Sequence, residues 1–173
     1  ATGGTDKIKY YTSIGLMDQD GILPNTSYKR FNVRSNIDAK IARNLNLSVN
    51  LSGFREKKHA PGYSIAKQNE FSPVSQAIYA LPILAPTYKG MPQGYLNGVY
   101  TQQPIAAINQ SGYTDQQRWQ FEGNAKLEYD FGSIDALQGL KAAVHVSYDY
   151  SNTVNRNYMS SFKLMSFSTT TMG

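Results

Sequence analysis

Carboxylates and histidines are the side chains that catalysis or metal binding would use first, and their spacing in this sequence matches no complete catalytic or metal-binding motif. The segment Asp18-Gln19-Asp20-Gly21 has the alternating carboxylates of a calcium loop. An EF-hand loop, however, needs Gly at its sixth position and a bidentate Glu at its twelfth. Only two histidines, His59 and His145, are present, and there is no Cys. A disulfide framework and a thiolate zinc site are therefore excluded, and we expect no metal and no cofactor.

Paired carboxylates for glycoside hydrolysis would have to meet in space. Glu122 and Glu128 share one face of a predicted strand, but the rise per residue of a strand separates them by about 20 Å. The sequence thus predicts no catalytic residue, and we expect a protein that is not an enzyme.

Tyrosines provide the remaining functional signal. They lie among Asn, Gln, Gly and Pro between residues 55 and 115, a composition suited to stacking on a sugar or a peptide. The predicted ligand or partner contacts are Tyr79, Tyr88, Tyr95, Tyr100 and Tyr113. The alternative is that these rings pack the loop against itself.

The elements that would position these tyrosines are predicted by alternation of apolar and polar residues, which puts successive side chains on opposite faces of a strand. It indicates five strands, near residues 7–17, 29–41, 45–54, 117–131 and 139–151. The prediction is an all-β fold, an antiparallel up-and-down meander forming one partial barrel domain over residues 1–173. Short turns, including Gly3-Gly4 and residues 130–138, alternate with a long extracellular loop over 55–115. That loop has one short helix near 73–81, where Pro73 is a typical first helical residue.

The apolar face of such a sheet must be covered by something extensive. In a soluble β-sandwich, such as a carbohydrate-binding module, a second sheet covers it. In an outer-membrane barrel lipid covers it, and the polar face lines a wet lumen. Trp119 and Tyr129 share a face ten residues apart, which corresponds to roughly 25 Å along the membrane normal, the height of a lipid-facing band. An assembly protein that pairs through its open sheet edges is a third possibility.

The net charge of +5 raises the question of a nucleic-acid partner. The 17 Lys and Arg residues are scattered along the chain, and a phosphate-tracking surface needs them clustered. We therefore expect no nucleic acid among the partners.

Several segments together resemble the barrel region of SusC-like TonB-dependent outer-membrane transporters. They are residues 3–11, 13–22 and 28–38, with later likenesses at 111–113, 137–140 and 148–150. The resemblance implies import of oligosaccharides or peptides across a Gram-negative outer membrane. It also implies a SusD-like lipoprotein on the extracellular face and coupling to TonB at the periplasmic side. Since a barrel of 22 strands needs several hundred residues, the chain is expected to be an internal segment of such a barrel in contact with outer-membrane lipid.

Overall fold

A computed structural model describes residues 1–62, 73–79, 85–97, 100–161 and 164–165 of the 173-residue chain. In chain order, the elements before the loop are β1 (Thr2–Gly4), β2 (Ile8–Asp20), β3 (Ser27–Ala42) and β4 (Leu45–Pro61). Those of the loop are α1 (Pro73–Tyr79), β5 (Thr87–Tyr88), β6 (Met91–Pro92), β7 (Tyr95–Asn97), β8 (Tyr100–Gln102) and α2 (Pro104–Gln110). The last two strands are β9 (Gly112–Asp130) and β10 (Lys141–Met159), with a 3-10 turn at Asp135–Leu137 between them.

The six long and terminal strands form one antiparallel sheet in the order β1-β2-β3-β4-β9-β10. Neighbours in the sheet are also successive along the chain, apart from the loop elements between β4 and β9. The predicted all-β meander is therefore confirmed. Within the described residues the sheet has two edges, β1 and β10, and is not closed.

The main strands differ in length from the sequence-based expectation, chiefly at the ends nearest the long loop. β4 continues through Pro61, β9 begins at Gly112 and β10 continues to Met159. Residues 55–61 and 152–159 are mostly polar on both faces, so period-2 alternation fades there. The backbone remains extended because each strand is still hydrogen-bonded to its neighbour, as in the bond from the Ser160 amide to the Ser111 carbonyl (3.0 Å).

Two further expectations are corrected. Gly3-Gly4 was predicted as a turn, but it lies in β1, where Gly3 pairs with Tyr10 and Gly4 with Lys9. Only one helix was predicted in the loop, whereas the structure has a second, α2, which buries Ala106 and Ala107 completely. The first helix is found at Pro73–Tyr79, and residues 80–81 of its predicted range lie outside the described residues. Neither described helix is long and apolar enough to cross a membrane.

Two compact units share these strands. Unit 1 comprises residues 1–18, 29–57 and 117–154. Unit 2 comprises residues 19–28, 58–116 and 155–173, which include the loop elements. Unit 1 therefore carries most of each long strand, including the ends at the short turns, and unit 2 carries the remaining strand ends and the loop.

Candidate functional surfaces

The apolar face of unit 1 is the most extensive functional feature. Its side chains are large and exposed: Leu16 has 83% of its surface accessible, Ile14 67% and Val144 64%. Ile37, Ile41, Leu51, Phe121, Leu127, Val146 and Tyr148 are also exposed. Such exposure means that the described residues leave this face uncovered. The closed core that a soluble β-sandwich requires is therefore not formed by the described part of the chain.

Aromatic rings lie near both ends of this face on β9. At one end the Arg55 guanidinium carbon of β4 is 5.6 Å from the centroid of the Trp119 ring. At the other end Tyr129 and Phe131 meet edge to face, with centroids 4.8 Å apart. Arg55 thus adds a positive charge at the end of the apolar face where Trp119 lies.

The opposite face of unit 1 is polar and hydrogen-bonded from strand to strand. Asn50 Nδ2 donates to Asn124 Oδ1 (2.9 Å) and Ser52 Oγ to Glu122 Oε2 (3.3 Å), both from β4 to β9. Further along β9, Lys126 Nζ lies 2.7 Å from Glu128 Oε2. This face is suited to contact with water or with a polar ligand, because it presents amides, hydroxyls and charges of both signs.

Phe54 is an aromatic side chain on this polar face. The Arg30 guanidinium carbon lies 4.3 Å from its ring centroid, and that of Arg118 lies 5.5 Å away. Arg118 Nη2 also donates to Gln120 Oε1 (2.9 Å). Alternation of apolar and polar residues does not by itself predict this group. The available signal was an aromatic residue at a polar-face position of β4, with arginines at polar-face positions of β3 and β9.

The structure places the five predicted contact tyrosines on different elements, and their role as contacts stays a prediction. Tyr79 ends α1, while Tyr95 and Tyr100 belong to the hairpin in which Tyr95 pairs with Gln102 and Asn97 with Tyr100. Their side chains are outside the described part of the structure. Tyr88 lies in β5, is 41% exposed, and has the Lys89 ammonium 5.6 Å from its ring centroid.

Tyr113 lies on strand β9 rather than in the loop, and it belongs to a cluster in unit 2. Its ring stacks on His59 of β4 at 6.1 Å and meets Tyr158 of β10 at 5.8 Å, centroid to centroid. His59 Nδ1 is 2.6 Å from Asp115 Oδ1. The cluster joins three neighbouring strands through side chains, so it stabilises their pairing.

A buried glutamine organises the loop of unit 2. Gln103 is 3% exposed and precedes α2. Its Nε2 donates to the carbonyls of Pro86 (2.8 Å) and Gln93 (2.6 Å), and its Oε1 accepts from the Ile105 amide (3.0 Å). The backbone amide of Gln103 donates to Gln76 Oε1 (3.0 Å), which connects Gln103 to α1. Through its side chain and its backbone amide, Gln103 thus connects the start of α2 with three other segments of the loop, at Gln76, Pro86 and Gln93.

Comparison with known proteins gives one partial likeness. No family model matches the sequence. Over 57 residues, which are 33% of this chain, it is 37% identical to TonB-dependent receptor P3 of Formosa agariphila. That stretch is 6% of the length of the relative, so the chain corresponds to a small part of it. A partial similarity to a TonB-dependent receptor is therefore what the sequence comparisons establish.

Proposed function

We propose that the chain is a wall segment of a TonB-dependent outer-membrane transporter, in which unit 1 crosses the bilayer. The observation that carries the proposal is the division of unit 1 into two faces. One is apolar and exposed, and the other is polar and hydrogen-bonded along β4 and β9. A lipid-facing exterior and a wet lumen require this division. The partial likeness to a TonB-dependent receptor supports the same function.

The finer proposal is that the parent transporter is SusC-like. It would import oligosaccharides or peptides together with a SusD-like lipoprotein and draw energy from TonB. The loop would then contact the substrate or the lipoprotein through its tyrosines. The exposure of Tyr88 supports this role, and so does the presence of Tyr95 and Tyr100 on one hairpin.

The lipid-facing assignment has a direct test, because Trp119 is the one Trp of the chain. We would place the chain in phospholipid vesicles and quench its fluorescence with lipids brominated near the headgroup or deep in the acyl chain. Trp119 is expected to be quenched by both lipids, more strongly by the shallow bromines, and little by aqueous acrylamide.

The matched control moves the indole by one residue to the other face of the same strand, as the double change Trp119→Phe with Gln120→Trp. Its fluorescence is expected to respond to acrylamide and not to brominated lipid. Equal quenching of the two proteins by lipid would contradict the proposal, and so would a folded chain that stays in water with Trp119 unquenched.

The loop assignment is tested in the full-length transporter that the proposal requires. Tyr88→Ala, Tyr95→Ala and Tyr100→Ala are expected to weaken ligand uptake or binding of the lipoprotein, while the amount of protein in the outer membrane stays constant. If all three variants keep both activities, the loop tyrosines are not contacts.

A further inference from the structure

A hollow of about 420 Å³ opens on the polar face of unit 1, between strands β2, β3, β4 and β9. Its lining includes two arginines of β3, Arg30 and Arg34, with Asn32 between them. Phe54 of β4 and the Gln120 and Glu122 side chains of β9 also line it. Cations, amides and one carboxylate therefore converge at a single place on the sheet.

Both oxygens of the one carboxylate in this lining accept hydrogen bonds from neutral side chains. Glu122 Oε1 accepts from Gln120 Nε2 at 2.5 Å, and Oε2 accepts from Ser52 Oγ at 3.3 Å. No ion pair involving Arg30 or Arg34 occurs among the described residues. Two guanidinium groups and one carboxylate give the hollow a formal net charge of +1, and neither arginine is paired directly with a carboxylate of the described residues.

Phe54 positions one of these cations. The half-buried Arg30 guanidinium is held 4.3 Å from the ring centroid. A guanidinium that contacts a ring through its face keeps its in-plane N–H donors available. Arg34 is exposed two positions beyond Asn32 on the same face. Because guanidinium groups match planar or tetrahedral oxyanions with paired hydrogen bonds, this arrangement favours an anionic ligand.

We propose that the hollow is a subsite for an acidic oligosaccharide, in which Arg30 and Arg34 bind a carboxylate or sulfate group of the sugar. The amides of Asn32 and Gln120 lie beside them and offer donors and acceptors for sugar hydroxyls. An oligosaccharide fits better than an apolar peptide, since most of the lining residues are polar or charged. The inference rests on the proposed function, because it requires that the polar face be open to the ligand.

The test is binding to the detergent-solubilised chain, measured by calorimetry with three sugars of similar length. These are trigalacturonate, a sulfated trisaccharide and neutral maltotriose. Binding of the two acidic sugars and not of maltotriose is expected, and added salt should weaken it through screening. Trigalacturonate alone would identify carboxylate as the recognised group, and the sulfated sugar alone would identify sulfate. Equal binding of maltotriose, or no binding of either acidic sugar, would overturn the proposal.

Variants locate the site. Arg34→Gln removes an exposed charge that makes no hydrogen bond or ion pair with the described residues, so folding should be unaffected. Binding should weaken roughly tenfold, the effect of losing one charge-assisted hydrogen-bonding group. Arg30→Gln should have a similar effect. Arg43→Gln, in the tight turn between β3 and β4, removes the same charge away from the hollow and should leave binding unchanged. Equal effects of Arg34→Gln and Arg43→Gln would show attraction by net charge only and would refute the site.

The lipid quenching of Trp119 separates this inference from the proposed function. If Trp119 contacts lipid but the acidic sugars do not bind, the subsite is wrong and the wall assignment stands. If Trp119 stays in water, the wall assignment fails and the subsite fails with it.

Discussion

Replacing Gln103 by Met should loosen the loop of unit 2 without disturbing the sheet. Met has nearly the same volume, but it leaves the carbonyls of Pro86 and Gln93 and the amide of Ile105 without their side-chain partner. Each buried backbone group left unsatisfied costs about 1–3 kcal/mol. The Pro86 carbonyl keeps a partner, because it also accepts from the Gln93 backbone amide (3.2 Å). Taking the lower figure for the other two groups, because water can reach an opened loop, the expected loss is about 2 kcal/mol.

Hydrogen exchange measured by mass spectrometry is the appropriate assay, since it reports local opening. A loss of about 2 kcal/mol corresponds to roughly thirtyfold faster exchange of the α2 amides. The control is Gln110→Met at the exposed end of the same helix, which should change exchange little. Peptides from β9 should exchange at the wild-type rate in both variants. Exchange of α2 in Gln103→Met within a few-fold of wild type would refute the role assigned to this side chain.

Two further changes test the sheet. Val146→Lys places a charge on the exposed apolar face of β10, and it should weaken partitioning into vesicles by about 2–4 kcal/mol. Ser147→Lys, on the other face of the same strand, should leave partitioning unchanged. If a vesicle flotation assay finds the two variants equal, the assignment of the two faces of β10 is wrong. Gly112 has φ +92°, and a Cβ there would collide with the Tyr158 carbonyl, while Gly139 has φ +86° with open space around it. The denaturant midpoint should therefore fall further for Gly112→Ala than for Gly139→Ala, because at Gly139 only backbone strain of about 1 kcal/mol acts. Equal midpoints for the two variants would show that the collision with Tyr158 does not contribute.

The two faces of the sheet were predictable because strand side chains alternate with a strict period of two, and a polar residue on the apolar face would lose solvation. The positions at which the strands end were not predictable in this way. Beyond Arg55 on β4 and beyond Ser151 on β10 the residues are mostly polar on both faces, and pairing with the neighbouring strand decides their conformation. Gly3-Gly4 has the composition of a turn and becomes strand β1 for the same reason.

The candidate sites were harder to predict, because their parts come from distant segments of the chain. Phe54, Arg30 and Arg118 lie on three strands, and only the order of strands in the sheet brings them together. For α2, Pro104 was a usable start signal, but Gln103 is an uncommon N-cap residue and the helix has only seven residues. The folded loop therefore depends on long-range hydrogen bonds that no local pattern encodes.

The position of the loop between two strands that are neighbours in the sheet has an evolutionary consequence. β4 and β9 are hydrogen-bonded to each other, so the ends of the intervening segment stay about one strand spacing apart whatever its length. The entropy of closing such a segment grows only with the logarithm of its length, about 0.6 kcal/mol for each doubling. Insertions and deletions in residues 62–111 are therefore tolerated by the sheet. The sheet can remain under selection for its two faces while the loop diversifies, and a foreign sequence inserted there should leave the strand pairing intact.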